Sequence, residues 1–282
     1  MKKTKFLYRL FKKSLKKNRY FSIIALLFIA VAALTVAIAL VKTATSESDY
    51  IYAKVKISQG FWWASTQSPN VWFIDSLKTG DVEYGLLGKP IAEVLEVRYY
   101  PTTAFPKYRA QYDIFLTLKL AVNVNTKTQK YVFKRSAIGV GSPIELDFPS
   151  AQISGSVIEI SKAPPKNRLV EKDIILIKKQ GFPWEVEAIK IGDEQFDGEE
   201  VVFKVTAKQA LTTSLVDINP YGNVNLGLKD PRRYITVRGK IKVREREGLL
   251  IFGEEQVVTP GAELNLATKN FVFDQFFVQE VK

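Results

Sequence analysis

Leu77-Lys78-Thr79-Gly80-Asp81 and Ile189-Lys190-Ile191-Gly192-Asp193 are the stretches whose reading decides the fold. Each places an apolar residue and a lysine ahead of Gly-Asp. Glycine accepts positive φ and aspartate bonds its own following backbone, so both blocks predict a tight turn, at Gly80-Asp81 and Gly192-Asp193. The rival use of the two aspartates, a shared carboxylate site of ligands or bases, is not needed to explain a turn that occurs twice. The blocks lie 112 residues apart, and three more pairs keep the same order. Gln59-Gly60-Phe61-Trp62-Trp63 matches Gln180-Gly181-Phe182-Pro183-Trp184 at an offset of 121. Tyr112 matches Tyr234 at 122, and Gly141 to Leu146 matches Gly261 to Leu266 at 120. The change of offset implies about nine extra residues in the first half, between Trp63 and Leu77. Ordered blocks at nearly constant offset predict a tandem duplication of two copies.

The runs between these blocks are of strand type. Residues 51–57, 91–100, 112–124, 130–138 and 155–160 alternate or are rich in Val, Ile, Phe and Tyr, and so are 173–179, 185–191, 199–207, 233–245, 248–258 and 271–281. A helical turn is expected only near Ser65 to Ser76 or Lys208 to Leu215, neither with a clear apolar period. Ser161 to Arg168 is polar and holds two adjacent prolines, which reads as a short stiff linker. The expected fold is therefore mainly β: two tandem, internally homologous small β-sandwich or barrel domains, 50–162 and 169–282, joined by 163–168. Pro- and Gly-rich loops recur in both halves, Pro101 to Pro106 and Pro220 to Pro231; they read equally as plain connections and as binding loops, the latter bringing Phe105 and Tyr221 forward as candidate contacts.

Upstream, residues 21–41 read FSIIALLFIAVAALTVAIALV, without a charge. As a helix rising about 1.5 Å per residue, this run spans about 31 Å, close to a bilayer's hydrocarbon thickness. The expectation is a transmembrane helix followed by a linker, 42–49. A cleaved signal peptide would have a shorter apolar core after a shorter basic segment. Residues 1–20 form that basic segment, with nine Lys or Arg and no acid. Such asymmetry keeps the N-terminus cytoplasmic and exports the rest. Lys12, Lys13, Lys16, Lys17 and Arg19 would lie at the membrane surface, as a topology signal more than a lipid-sensing arm.

Charge and residue types bound the function. The chain has 282 residues and a formal net charge of +12, but residues 1–20 carry +9 of it. The remainder, 32 basic against 29 acidic residues, has no electrostatic footprint for nucleic acid. Cysteine and histidine are absent, which excludes disulfides, Cys/His metal sites and histidine-based catalytic triads. No Gly-rich dinucleotide loop occurs. No cofactor, metal or catalytic residue is expected, and the chain is not read as an enzyme. Asp193, Glu194, Asp197, Glu199 and Glu200 lack calcium-loop spacing and read as solvated hairpin acids. Arg244 to Glu247 reads as a salt-bridged hairpin end. Trp63 and Trp184, matched, are expected in the two cores. Trp62 and Trp72 have no match; a core role is preferred for them, with contact to a partner, a glycan or the membrane interface as the alternative if they are exposed.

Residues 77–160 carry a longer pattern: the Lys-x-Gly-Asp turn, GKPIAEV (88–94), YDIFLTLKL (112–120), IGVGSPIEL (138–146) and GSVIEI (155–160). After a basic start and a single apolar helix, this resembles a bacterial family of single-pass membrane-anchored β-domain proteins of unknown function. The second half fits less well, since Glu263 to Leu266 lacks the Ser-Pro step and Gln275 replaces the late glycine. The resemblance implies fold and topology and carries over no functional residue. The resulting expectation is an extracytoplasmic structural or adaptor protein of a bacterial cell envelope, bound to the lipid bilayer and to other envelope proteins or itself. The alternative is a polysaccharide-binding module.

Overall fold

The structure is a computed structural model that describes residues 19–45, 49–57, 69, 71–86, 88–102, 111–125, 127–165, 168–213, 216–218, 224–226 and 232–282. It divides into two compact units, Met1–Ser48 and Asp49–Lys282.

Among the described residues the first unit holds one helix, α1 (Arg19–Thr45). Side chains are described for residues 23–38 of it, and all are exposed except half-buried Ala25. Thr35 Oγ1 donates to the Ala32 carbonyl at 2.9 Å, so its hydroxyl is satisfied within the helix. Among the described residues no helix is long and apolar enough to cross a membrane. The run 21–41 extends past the described side chains at both ends.

The second unit is mainly β and carries two curled sheets. The first sheet is built from β1 (Asp49–Ile57), β2 (Val82–Tyr84), β3 (Pro90–Pro101), β4 (Tyr112–Val124), β5 (Tyr131–Phe133), β6 (Ser136–Ile138), β7 (Pro143–Asp147) and β8 (Gln152–Ser161). A short helix, α2 (Val71–Ser76), lies between β1 and β2. The strand order is β2-β3-β4-β1-β8-β7, with the β5–β6 hairpin continuing from β4. Lys134, in the tight turn of that hairpin, reaches Glu83 at 2.5 Å and the Glu145 carbonyl at 2.9 Å, which curls the sheet on itself.

The second sheet follows the same plan. It comprises β9 (Leu169–Gly181), β10 (Glu194–Phe196), β11 (Val201–Thr213), β14 (Arg232–Arg246), β15 (Leu249–Phe252), β16 (Gln256–Val257) and β17 (Phe277–Val281), with α3 (Pro183–Ala188) after β9. Its order runs β10-β11-β14-β9-β17, with β15 and β16 continuing from β14. A separate hairpin, β12 (Val216–Ile218) and β13 (Val224–Leu226), lies in the loop between β11 and β14. The counterpart of β7 is reduced to one bridge, Glu263 to Phe277.

Registers agree in detail. Val94 pairs Leu118 and a bulge follows before Glu96, while Val205 pairs Gly239 and a bulge follows before Ala207. Leu118 faces Ala53 as Gly239 faces Ile174. Val55 pairs Val157 and Lys54 pairs Glu159, one residue being skipped, as Leu176 pairs Val278 and Ile175 pairs Glu280. The ladder therefore sets an offset of 121 between β4 and β14, and the expected match of Tyr112 with Tyr234 is one residue off. A slip of one residue puts every side chain on the wrong face, so the distinction matters.

Two expected strands are corrected. Residues 185–191 alternate like a strand, yet Pro183 to Ala188 form α3. Proline suits the first helical position, where its missing amide is not needed, and six residues are too few to show a helical period. Of 271–281 only Phe277–Val281 is β17. The helical turn expected near Ser65 to Ser76 is α2, whereas Lys208 to Thr213 continue β11.

The described residues form two cores. Ile51, Val55, Ile114, Leu116, Leu118 and Leu146 lie in the first, and Leu176, Phe203, Val237, Phe252, Phe273 and Phe276 in the second. Strand β4 is buried on both faces from Ile114 to Leu118, because Phe115 points away from the first core and into the second.

Candidate functional site

The Gly-Asp turns are built alike in both halves. Gly80 has φ 89° and Gly192 has φ 91°. The Gly80 amide donates to Val94, the Val94 amide to Asp81 and the Asp81 amide to Lys78, at 2.8, 2.9 and 3.1 Å. Gly192, Val205, Asp193 and Lys190 repeat these bonds at 2.8, 2.9 and 3.2 Å. The carboxylates fasten each turn to the loop before the last strand. Ser150 donates its hydroxyl to Asp81, and Asn270 donates its side-chain amide to Asp193 at 2.8 Å. Asp81 and Asp193 are thus structural clasps in separate halves and do not share a site.

The short helices sit immediately before these turns. Trp72 is eight residues ahead of Gly80, and Trp184 eight ahead of Gly192. From Trp72 to Gly80 and from Trp184 to Gly192 the burial sequence is identical, residue by residue. Trp184 is therefore the structural counterpart of Trp72. The extra residues of the first half fall before α2, not after it. Trp184 is 58% exposed and Trp72 63% exposed, so neither fills the core as expected. Trp72 packs edge-on against Phe73 at 5.8 Å between centroids. Trp184 stacks on Phe182 at 6.2 Å and leans on Phe271 at 6.3 Å. The guanidinium of Arg232 covers the Phe182 ring at 3.6 Å. Asp75 and Glu187, each three residues after its tryptophan and exposed, lie one turn along on the same helix face.

The inward positions of the two helices differ. Phe73 is 6% exposed and belongs to the first core. Its counterpart Glu185 is 4% exposed and accepts from Lys178 Nζ at 2.7 Å and from the Phe182 amide at 2.7 Å. Lys178 also donates to the Asp274 carbonyl at 2.9 Å. In β1 the position of Lys178 is held by buried Ile57. At the helix end Lys208 donates to the Val186 and Ile189 carbonyls at 2.5 and 2.6 Å, where a cation offsets the helix dipole.

The two sheets meet at a polar junction that the sequence did not announce. Asp197 is fully buried, not a solvated hairpin acid. It accepts from Arg98 Nη1 at 2.6 Å and from the Tyr100 hydroxyl at 2.9 Å. Its other oxygen accepts from the Glu199 and Glu200 amides at 3.0 and 2.9 Å. The Tyr99 amide donates to the Asp197 carbonyl at 2.8 Å, a backbone bond from one half to the other. Gly198, at φ 104°, packs so closely that an added Cβ would lie 2.3 Å from the Val97 carbonyl oxygen. Burial, then the charge of Asp197, holds the Tyr100 hydroxyl well above its ordinary range.

A second contact pairs Lys54 with Glu254 at 2.9 Å, and Glu254 with Arg244 at 2.9 Å. Arg244 is thus more than a hairpin-end charge. Lys56 reaches Glu255 at 2.5 Å and Asp113 at 3.4 Å. Burial lowers the Lys54 pKa more than its partners raise it. Burial also acts to lower that of Lys56, but the bond to Glu255 and the charge of Asp113 leave it raised. Tyr100 and Phe115 enter the second core beside Phe252, at 5.6 and 6.1 Å from Tyr100 to Phe252 and to Phe115.

A cavity of about 840 Å³ opens on the second half, walled by Ile177, Lys179, Glu263, Phe277 and Gln279. Among the described residues no group of three or more side chains could hold a metal ion. Trp62, Phe105, Tyr221, Lys12, Lys13, Lys16 and Lys17 lie outside the described residues, and Arg19 opens α1 with its side chain outside them. Comparisons with family models, curated proteins and solved structures return no match.

Proposed function

We propose that the chain is a single-pass membrane protein of a bacterial cell envelope, N-terminus in the cytoplasm and residues after Lys42 outside it. In this reading 50–162 and 169–282 are two copies of one β-domain, joined by 163–168. The exported body serves as a structural or adaptor module that binds other envelope proteins or itself. No residue is given a catalytic role.

The observation that carries the reading is α1. Ile23, Leu26, Phe28, Ile29, Leu34 and Ile38 are each 58% exposed or more, on all sides of the helix. A helix that is apolar all round needs an apolar surrounding, and lipid supplies it. The nine basic residues ahead of it favour the stated direction. The junction supports the adaptor role, because it ties the two halves of one compact unit together.

The chain has no cysteine, so single introduced thiols report topology cleanly. With Lys127→Cys on the exposed turn after β4, intact spheroplasts should be labelled by a membrane-impermeant maleimide, and alkaline carbonate should leave the chain in the membrane fraction. Labelling only after lysis, or release by carbonate, removes the reading.

A further inference from the structure

We propose that Trp72 with Asp75, and Trp184 with Glu187, are two equivalent platforms that bind one polysaccharide of repeating pyranose units. The inference rests on the exported placement above and deepens it by naming a ligand class. Four observations lead to it.

First, the two tryptophans are equivalent by helix, turn, hydrogen bonding and burial sequence, and both are exposed. Each touches a core aromatic, Trp72 on Phe73 and Trp184 on Phe271, yet leaves more than half of its surface to solvent. Second, the inward neighbour was free to change, from Phe73 to Glu185, while the outward tryptophan was not. The ring neighbours of the two tryptophans differ, Phe73 for Trp72 and Phe182 with Phe271 for Trp184, so the exposed indole is what the two places share, and an exposed indole face suits a surface contact.

Third, each tryptophan has a carboxylate one helical turn away, and the pairing differs only as Asp75 against Glu187. An indole face takes the C–H face of a pyranose ring, and a neighbouring carboxylate accepts from its hydroxyl or amide groups. The same carboxylates repel anionic lipid headgroups, which argues against membrane contact by these residues. Fourth, the platform occurs once per half on a body fixed by the Asp197 junction. Two similar sites on one compact unit suit a ligand that is itself repetitive. A second engagement along the same polymer is intramolecular and raises avidity without a new contact.

The test uses the full chain in detergent, so its outcome does not depend on topology. Probes are the hexamers of β-1,4-linked N-acetylglucosamine and glucose, the insoluble polymers of each, hexa-arginine, and phosphatidylglycerol vesicles. Wild type should bind at least one hexamer with a change in tryptophan emission, and its polymer at least tenfold more tightly. Trp72→Ala and Trp184→Ala should each remove that avidity gain. The double variant should bind neither form, with an unchanged melting temperature and circular dichroism spectrum. Trp72→Phe should retain part of the affinity and Asp75→Asn should weaken it severalfold.

No binding to any saccharide by folded wild type overturns the proposal, as does binding that survives in the double variant. Binding of hexa-arginine or vesicles that the double variant loses, with saccharides inert, assigns the platforms to another partner and also overturns it. Saccharide binding alongside cytoplasmic labelling of Lys127→Cys would leave the platforms standing and sink only the topology.

Discussion

The same place in the two halves is filled by opposite chemistry. Beneath α2 lie Ile57 and Phe73, both buried and apolar. Beneath α3 lie Lys178 and Glu185, buried and paired at 2.7 Å. The helix, the turn after it and the outward tryptophan are the same in both. The difference teaches that the helix is positioned by its frame, the Gly-Asp turn and the clasp to Ser150 or Asn270, more than by what lies under it. A buried ion pair is a costly way to fill a core, tolerable here because Phe182, Asp274 and Lys178 together satisfy the carboxylate and the ammonium.

The comparison breaks most severely at the junction, which has no internal counterpart. Asp197→Ala takes from buried Arg98 its closest carboxylate, leaving Glu200 at 3.4 Å and Glu96 at 3.9 Å, and takes from the Tyr100 hydroxyl its acceptor; it should cost about 3–5 kcal/mol, read as a shift in the urea midpoint. A loss below about 1 kcal/mol would mean that the halves do not depend on this contact. Lys178→Ile alone should cost a similar amount, about 3–5 kcal/mol, by stranding Glu185. Adding Glu185→Phe should recover it or exceed wild type by about 1–4 kcal/mol, making the second half like the first. A double variant as weak as the single would show that the two sites are not equivalent.

Alkaline pH tests the junction from another side. Tyr100 is neutral in the fold and its pKa is raised from 10.0. The unfolded chain therefore releases a proton that the folded chain keeps. Its stabilising contribution is complete below pH 10.0 and falls as pH rises above it, by about 1.4 kcal/mol per unit. Lys56, raised from 10.5, acts in the same sense and Lys54, lowered by burial, in the opposite one. The difference between wild type and Tyr100→Phe in urea titrations from pH 9 to 11 isolates the tyrosine, and a constant difference would refute its role. The smallest effect is expected at the surface: Trp72→Ala should change stability by about 0.5 kcal/mol or less in the same assay.

Much of the architecture is legible in the residues. Tyr112 to Val124 alternates and is β4 as bounded, and the Gly-Asp blocks mark where the two sheets restart. Helix α3 was hidden for a local reason. Glu185 to Ile191 satisfies a two-residue period, and six residues leave no room for a longer one. The likeness of Gln59 to Trp63 with Gln180 to Trp184 then drew Trp184 to the wrong partner, and with it into the core. Asp197 among four other acids looks solvated because nothing local distinguishes it. Its partners, Arg98 and Tyr100, are almost 100 residues earlier, and only the packing of one sheet on the other brings them together.

The fit of Gly198 against the Val97 carbonyl has one more consequence. Neither half is shaped to stand alone, since the turn of one is moulded to the backbone of the other and Tyr100 resides in its neighbour's core. Covalent continuity between Ser161 and Leu169 is then dispensable once the chain has folded. A protease cut in that prolyl connector should yield two fragments that travel together through a sizing column, a heterodimer with no peptide bond between its subunits.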